Sequence, residues 1–206
     1  MSTQMSLWLA EQPLLLASRS VARRSLLEAA GIPTEASAVD LDERAIETRA
    51  GDRSPSQVAN LLAEKKATAA AAQWPGRIVV GADQTLALDK LRFNKPHDRA
   101  SARDQLRTLA GHPHELHSAV VVASDEDILF ECVQSARLTM RAMSDQFIET
   151  YLDAVGSRAL TSVGCYQLEG LGIHLFERVE GDHFTILGLP LLPLLAFLRR
   201  IGLLAG

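Results

Sequence analysis

The residues best suited to chemistry come early. Ala17-Ser18-Arg19-Ser20-Val21-Ala22-Arg23-Arg24 follows the apolar run Leu14-Leu15-Leu16, so two hydroxyls and then paired arginines stand where a helix should begin. A first helical turn has backbone N–H groups without intrahelical partners and carries partial positive charge. Ser18 and Ser20 could cap that turn or donate to an anion, while Arg23 and Arg24 would add fixed charge with a fork geometry suited to phosphate oxygens. Cations are electrostatically misplaced in a first turn, so two of them there suggest that an anion is expected. The plainer reading is a surface helix with a serine cap and two solvated arginines. Further along, Asp42-Glu43, Lys66, Asp83 and Asn94-Lys95-Pro96 add carboxylates and ammonium groups. Each alone reads as loop, turn former or solvent charge. Together, without Cys/His metal spacing, they suggest a phosphate ester handled with a hard divalent metal between carboxylates and phosphates. Several reaction types stay open on these residues alone.

Other chemical groups are set aside. His112-Pro113-His114-Glu115-Leu116-His117 resembles a metal cluster at first sight. Strand alternation throws His114 and His117 to opposite faces, so the segment reads as turn and surface rather than a zinc site. Gly170-Leu171-Gly172 lacks a preceding strand and is not read as a dinucleotide fingerprint. Cys132 and Cys165 show no metal spacing and read as two buried free thiols in a reducing compartment.

The elements that must position these groups follow from composition and pattern. The chain has 206 residues, 47% hydrophobic and 22% charged, enough for a sizeable core in one large domain or two tightly packed lobes. A net charge of −4 argues against a general nucleic-acid binder, so an anion must be held by a local basic cluster. Residues 1–12 lack a basic region and a long apolar region, which argues against a signal peptide. The most apolar segment, 187–204, is interrupted by Pro190, Pro193, Arg199 and Arg200, so no membrane span is expected and a cytoplasmic location is.

Helices are expected over 20–30, 54–73, 99–110, 144–154 and 190–201. Strands are expected over 13–17, 34–39 and 77–80, then again over 85–88 after Gly81-Ala82-Asp83-Gln84. A hairpin is expected from 115–123 and 129–140 around Ser124-Asp125-Glu126-Asp127. Residues 40–43 read as an acidic loop, and 162–180 as irregular with strand-like alternation over 173–178. Interleaved helices and strands with a hairpin imply an α/β fold with a mixed sheet. Asp83, directly after a buried strand and a glycine, would lie at the sheet edge where α/β ligands sit.

From about Leu14 to Leu203 these residues resemble, in order, the motifs of the Maf-like nucleoside triphosphate pyrophosphatases. The matches are Ala17 to Arg24, Asp42-Glu43, Ala63 to Ala67 (which aligns Lys66) and Gly81-Ala82-Asp83. They continue through Lys95-Pro96, Gly111 to Glu115, Glu169 to Gly172, Glu177 to Gly181 and Gly188-Leu189-Pro190. The resemblance implies a mixed twisted sheet with flanking helices, and two lobes of a single domain, 1–206, around a nucleotide-binding cleft of the Maf/ITPase type. It implies hydrolysis of a nucleoside triphosphate to the monophosphate and pyrophosphate, in the service of removing non-standard nucleotides. Asp83, Glu43, Lys66 and Lys95 would be catalytic, and Ser18, Arg23 and Arg24 would bind substrate. Magnesium or manganese would be held by Glu43 and Asp83. A homodimer is suggested, and a link to arrest of cell division.

Base choice is split. Gln84 and Glu169 match the branch linked to 7-methyl-GTP, where the pyrimidine branch has threonine and glutamine. Val21 replaces a usual proline, and Ala22 stands where that branch has a tryptophan able to stack on the base. Alternatives are a pyrophosphatase preferring dTTP or UTP, a metal-dependent phosphatase releasing inorganic phosphate, and a nucleotide sensor that regulates division without turnover.

Overall fold

In the computed structural model, which describes residues 6–206, the leucine run forms the fully buried strand β1 (Leu14–Ala17). It pairs in parallel with β2 (Thr34–Ala36) and with β3 (Val79–Leu88), in register Leu14↔Thr34 and Leu16↔Val80. β4 (Leu91–Phe93) runs antiparallel to β3, with Leu86 opposite Phe93. With β5 (Pro113–Ser124), β6 (Asp127–Met140) and β7 (Phe176–Glu180), the seven-stranded order is β2-β1-β3-β5-β6-β7, β4 pairing with β3. β7 is antiparallel to β6. Parallel and antiparallel pairs coexist, so the sheet is mixed, as the hairpin pattern suggests.

Helices are α1 (Val21–Ala29), α2 (Glu43–Ala50), α3 (Pro55–Gln73), α4 (Arg99–Leu109), α5 (Asp145–Val155), α6 (His183–Ile186) and α7 (Leu191–Arg200). Their starts are written in the sequence. Ser20, Ser54, Asp98 and Ser144 accept from the backbone N–H three residues on, and Ser54 with Gln57 completes a capping box ahead of Pro55.

The chain divides into two compact units. The first holds the described residues up to Gln84, with Ser118–Gln134 and Gly188–Gly206. Its core sets Ala59, Ala63, Ala67, Ala70 and Ala71 of α3 against Leu15, Val79, Ala119 and Val121 of the sheet. Small side chains let helix and strand approach closely. At Gly81 a β-carbon would lie 2.2 Å from the Ala63 carbonyl oxygen and 2.6 Å from the Ala67 nitrogen, so only glycine fits.

The second unit holds Thr85–His117 and Ser135–Leu187, with a core including Leu86, Leu106, Leu116, Leu138, Met140, Ile148 and Leu152. On its surface, Arg99 and Arg103 of α4 pair with Glu149 of α5, and Arg107 pairs with Asp145.

Several expectations are corrected. Gly81 to Gln84 do not interrupt a strand but lie inside the ten-residue β3. The acidic loop is instead a helix start: Asp42 caps α2 by accepting from Ala45 N–H at 3.0 Å. β2 stops at Ala36, and residues 171–175 form a 3₁₀ turn before β7. β4 and α6 are additional elements. His114 and His117 do alternate, but His114 shares the covered face of β5 with Leu116 and both faces are covered from Leu116 onward, so both histidines are buried rather than on the surface. Cys165 is buried, whereas Cys132 is only half-buried. Among the described residues, no helix is long and apolar enough to cross a membrane.

Candidate active site

Ser18 follows directly on β1. Its Oγ accepts from Ser20 N–H at 3.2 Å and from Arg23 Nη1 at 3.1 Å. The Arg23 guanidinium, 9% exposed, also donates from Nη1 to the Ala82 carbonyl at 2.8 Å and from Nε to the Gly188 carbonyl at 2.7 Å. One side chain thus ties the β1–α1 turn to the residue before Asp83 and to the turn before α7. Gly188 makes this possible: at φ +96° it sits where a β-carbon would come within 3.4 Å of Arg23 Nε. Burial lowers the proton affinity of Arg23, while the charges of Asp83 and Glu43 raise it; an arginine stays charged under that balance. The cation that looked misplaced in a first turn is therefore met by protein acceptors and two nearby carboxylates. Arg24 takes another direction, pairing on the exposed surface with Glu28 at 2.7 Å.

Asp83 lies between the stretches of β3 that pair with β1 and with β4. Pairing of β3 with β1 ends at Ala17↔Gly81, and pairing with β4 begins at Leu86. Asp83, 8% exposed, shares the face of β3 that Gly81 turns toward α3. That close approach delivers Lys66, which lies between Ala63 and Ala67. Its Nζ donates to Asp83 Oδ1 at 2.5 Å and forms a salt bridge with Glu43 Oε1 at 2.9 Å. Of the acidic pair, Asp42 is spent on the helix cap and Glu43 reaches the cluster. Gln84 falls on the opposite face of β3, and its Nε2 donates to Ser118 Oγ at 2.9 Å.

The structure therefore brings together Ser18, Arg23, Glu43, Lys66 and Asp83 within the first unit. Ala22 is half-buried in the first turn of α1. Lys95 and Glu169 belong to the second unit, where both are exposed; Lys95 precedes the buried Pro96, and Glu169 lies in a turn. The carbonyls of Ala82 and Gly188 were not anticipated, and backbone acceptors leave no trace in residue types. Ser118 carried a faint signal: it is a lone hydroxyl heading the apolar run Ala119 to Ala123.

Arg23 and Lys66 balance Glu43 and Asp83, leaving this cluster formally neutral. A triphosphate would need further positive charge. Glu43 and Asp83 suit a hard divalent cation, because both present carboxylate oxygens converging on one ammonium position. No group of three or more His, Cys, Asp or Glu side chains among the described residues could hold a metal alone. The other ligands would be phosphate oxygens and water, as is usual for magnesium.

Comparison with known proteins gives a consistent result. The family described as Maf-like protein matches residues 13–201. A nucleoside triphosphate pyrophosphatase of Rhodopseudomonas palustris (strain ATCC BAA-98 / CGA009) is 58% identical over 201 residues, spanning 98% of this chain and 100% of that protein. A protein of the same name from Bradyrhizobium diazoefficiens is 59% identical over the same shares of both chains. A 7-methyl-GTP pyrophosphatase of Rhizobium etli is 50% identical, spanning 94% of this chain and 98% of that one.

Proposed function

The chain belongs to the Maf family and is a nucleoside triphosphate pyrophosphatase, and we propose that it cleaves a modified purine nucleotide such as 7-methyl-GTP to the monophosphate and pyrophosphate. The observation that carries the mechanism is the contact of Lys66 with both Asp83 and Glu43, beside the stretch of β3 that Arg23 holds at the Ala82 carbonyl.

Asp83 orients a water molecule and accepts its proton as the water oxygen attacks the α-phosphorus. The bond from the α-phosphorus to the bridging oxygen breaks, and pyrophosphate leaves with the electron pair. Lys66 and Lys95 offset the charge on the leaving group, and Ser18 and the first-turn amides of α1 add hydrogen bonds. Arg23 holds the Ala82 carbonyl, and with it the backbone of Asp83. Glu43 and Asp83 would hold magnesium or manganese, which when bound would supply charge neutralisation at the phosphates. Arg24, paired with Glu28, is the weakest of the substrate-binding candidates.

Gln84 and Glu169 select the base. A carboxylate at Glu169 would accept from guanine N1–H and the amino group, or favour a cationic methylated ring. Ala22 offers no aromatic surface for stacking. The relative named 7-methyl-GTP pyrophosphatase supports this choice. In this reading the protein works on the cytoplasmic nucleotide pool as a homodimer and keeps non-standard nucleotides out of nucleic acid; any part in division arrest would follow from that activity.

Product analysis with magnesium over 7-methyl-GTP, GTP, dTTP, UTP and CTP tests it. Pyrophosphate from 7-methyl-GTP in clear preference is the expected outcome. Preference for dTTP or UTP would overturn the base assignment and leave the reaction standing. Binding by a folded protein without turnover would favour a nucleotide sensor.

A further inference from the structure

We infer that Lys66 guards the metal-binding carboxylates: its ammonium pairs with oxygens that a divalent cation needs, so the metal enters together with the triphosphate rather than ahead of it. The inference rests on the proposed assignment of the metal to Glu43 and Asp83 and adds an order of binding to it.

Lys66 Nζ stands 2.5 Å from Asp83 Oδ1 and 2.9 Å from Glu43 Oε1. The Lys66 and Asp83 side chains are only 12% and 11% exposed, so solvent and salt screen their contact poorly. A divalent cation that takes the same oxygens as ligands meets an ammonium at close range, and like charges repel strongly where screening is weak. The cluster is also balanced already, with Arg23 and Lys66 set against Glu43 and Asp83. A cation arriving alone therefore adds uncompensated charge where burying charge is costly.

A triphosphate reverses that balance. It brings several negative charges, enough to pair with a metal and with the displaced ammonium. The two basic residues differ in their freedom to respond. Arg23 is fixed by hydrogen bonds to Ser18 Oγ and to the Ala82 and Gly188 carbonyls. Lys66 carries its charge on a flexible four-carbon stem rooted in α3, and one of its partners, Glu43, is itself 49% exposed. Its ammonium can therefore change partners while the helix stays in place.

The test measures manganese binding to the whole enzyme without nucleotide, from the electron paramagnetic resonance signal of the free ion. Lys66→Met should bind manganese about 10-fold tighter than the parent, or more, because a repelling charge has gone. Lys66→Gln should show the same gain and serves the comparison if Lys66→Met does not fold. A merely structural role predicts the opposite sign, since loss of Lys66 would then disorder the carboxylates and weaken binding. Lys65→Met removes a neighbouring charge on α3 that pairs with Glu64 instead, and should leave the affinity at the parent value. An equal gain in Lys65→Met would assign the effect to overall charge and overturn the guarding role. If the Lys66 variants bind no tighter than the parent while Glu43→Gln weakens binding, guarding is overturned and the metal assignment stands. If Glu43→Gln added to Lys66→Met leaves the gain intact, the cation binds elsewhere and both fall.

Discussion

Asp83 and Lys66 show how much one contact can organise. A lysine between two carboxylates offsets both charges and holds them in place. Asp83→Asn keeps size and shape but removes the proposed proton acceptor, so turnover should fall to background while the thermal transition stays near that of the parent. Normal turnover by that variant would remove Asp83 from the mechanism. Arg23→Lys tests a different property. A lysine keeps the charge but cannot bond the Ala82 and Gly188 carbonyls and the Ser18 hydroxyl together. Its kcat should drop by about 10-fold or more, with a lowered melting temperature, as expected when a buried fork is replaced by a point charge. At this scale the sequence was informative about residue types: Ser18, Arg23, Glu43, Lys66 and Asp83 all meet. Their partners were less legible, because Arg23 answers to backbone carbonyls, which every residue carries. The early reading of Arg23 as a cation awaiting an anion omitted those acceptors.

At the scale of elements, placement of the site depends on how closely α3 lies against β3. Gly81 and the alanine face of α3 set that distance. A methyl group at position 81 would meet helix backbone, which cannot swing aside like a side chain. Gly81→Ala should therefore destabilise the protein by about 1–3 kcal/mol, the usual range for overpacking. It should also reduce kcat, because Lys66 retreats from Asp83. Denaturant unfolding and kinetics on the same sample check both effects. The Asp42 cap of α2 works similarly on Glu43, and Asp42→Ala should cost about 1 kcal/mol.

Elements with strong local punctuation were readable: α3 has Ser54 and Pro55, and the hairpin has its acidic turn. α2 was missed because a capping aspartate followed by charged residues also resembles a solvated loop. Gly81 to Gln84 resembled a break because glycine is rare inside strands, whereas here the glycine marks the close approach of a helix.

Across the whole molecule, stability should depend on pH through His114. This side chain is 1% exposed, and its Nε2 lies 2.9 Å from the Tyr166 hydroxyl. Burial lowers its pKa from 6.5 to about 4. The folded state thus favours neutral imidazole. Stability from this group is complete above pH 6.5 and falls as pH drops from 6.5 through about 4, since the unfolded chain takes up the proton first. The loss over that window should be about 3 kcal/mol. Urea unfolding at stepped pH measures it, and His114→Phe should flatten the acid limb. The surface pairs of α4 and α5 predict a separate, smaller dependence: Glu149→Ala should lower the melting temperature at low salt and do little at about 1 M, where exposed charges are screened. The mixed α/β fold was legible from the order of elements. Burial of His114 was not, because alternation tells which face a residue takes but not whether that face is covered.

The most direct measurement of the reaction itself is hydrolysis in water labelled with heavy oxygen, with magnesium and the preferred triphosphate, followed by mass analysis of both products. Attack at the α-phosphorus places the label in the nucleoside monophosphate and leaves pyrophosphate unlabelled, and Asp83→Asn should yield no labelled monophosphate. Label in pyrophosphate, or release of labelled inorganic phosphate, would contradict attack at that phosphorus and the role given to Asp83.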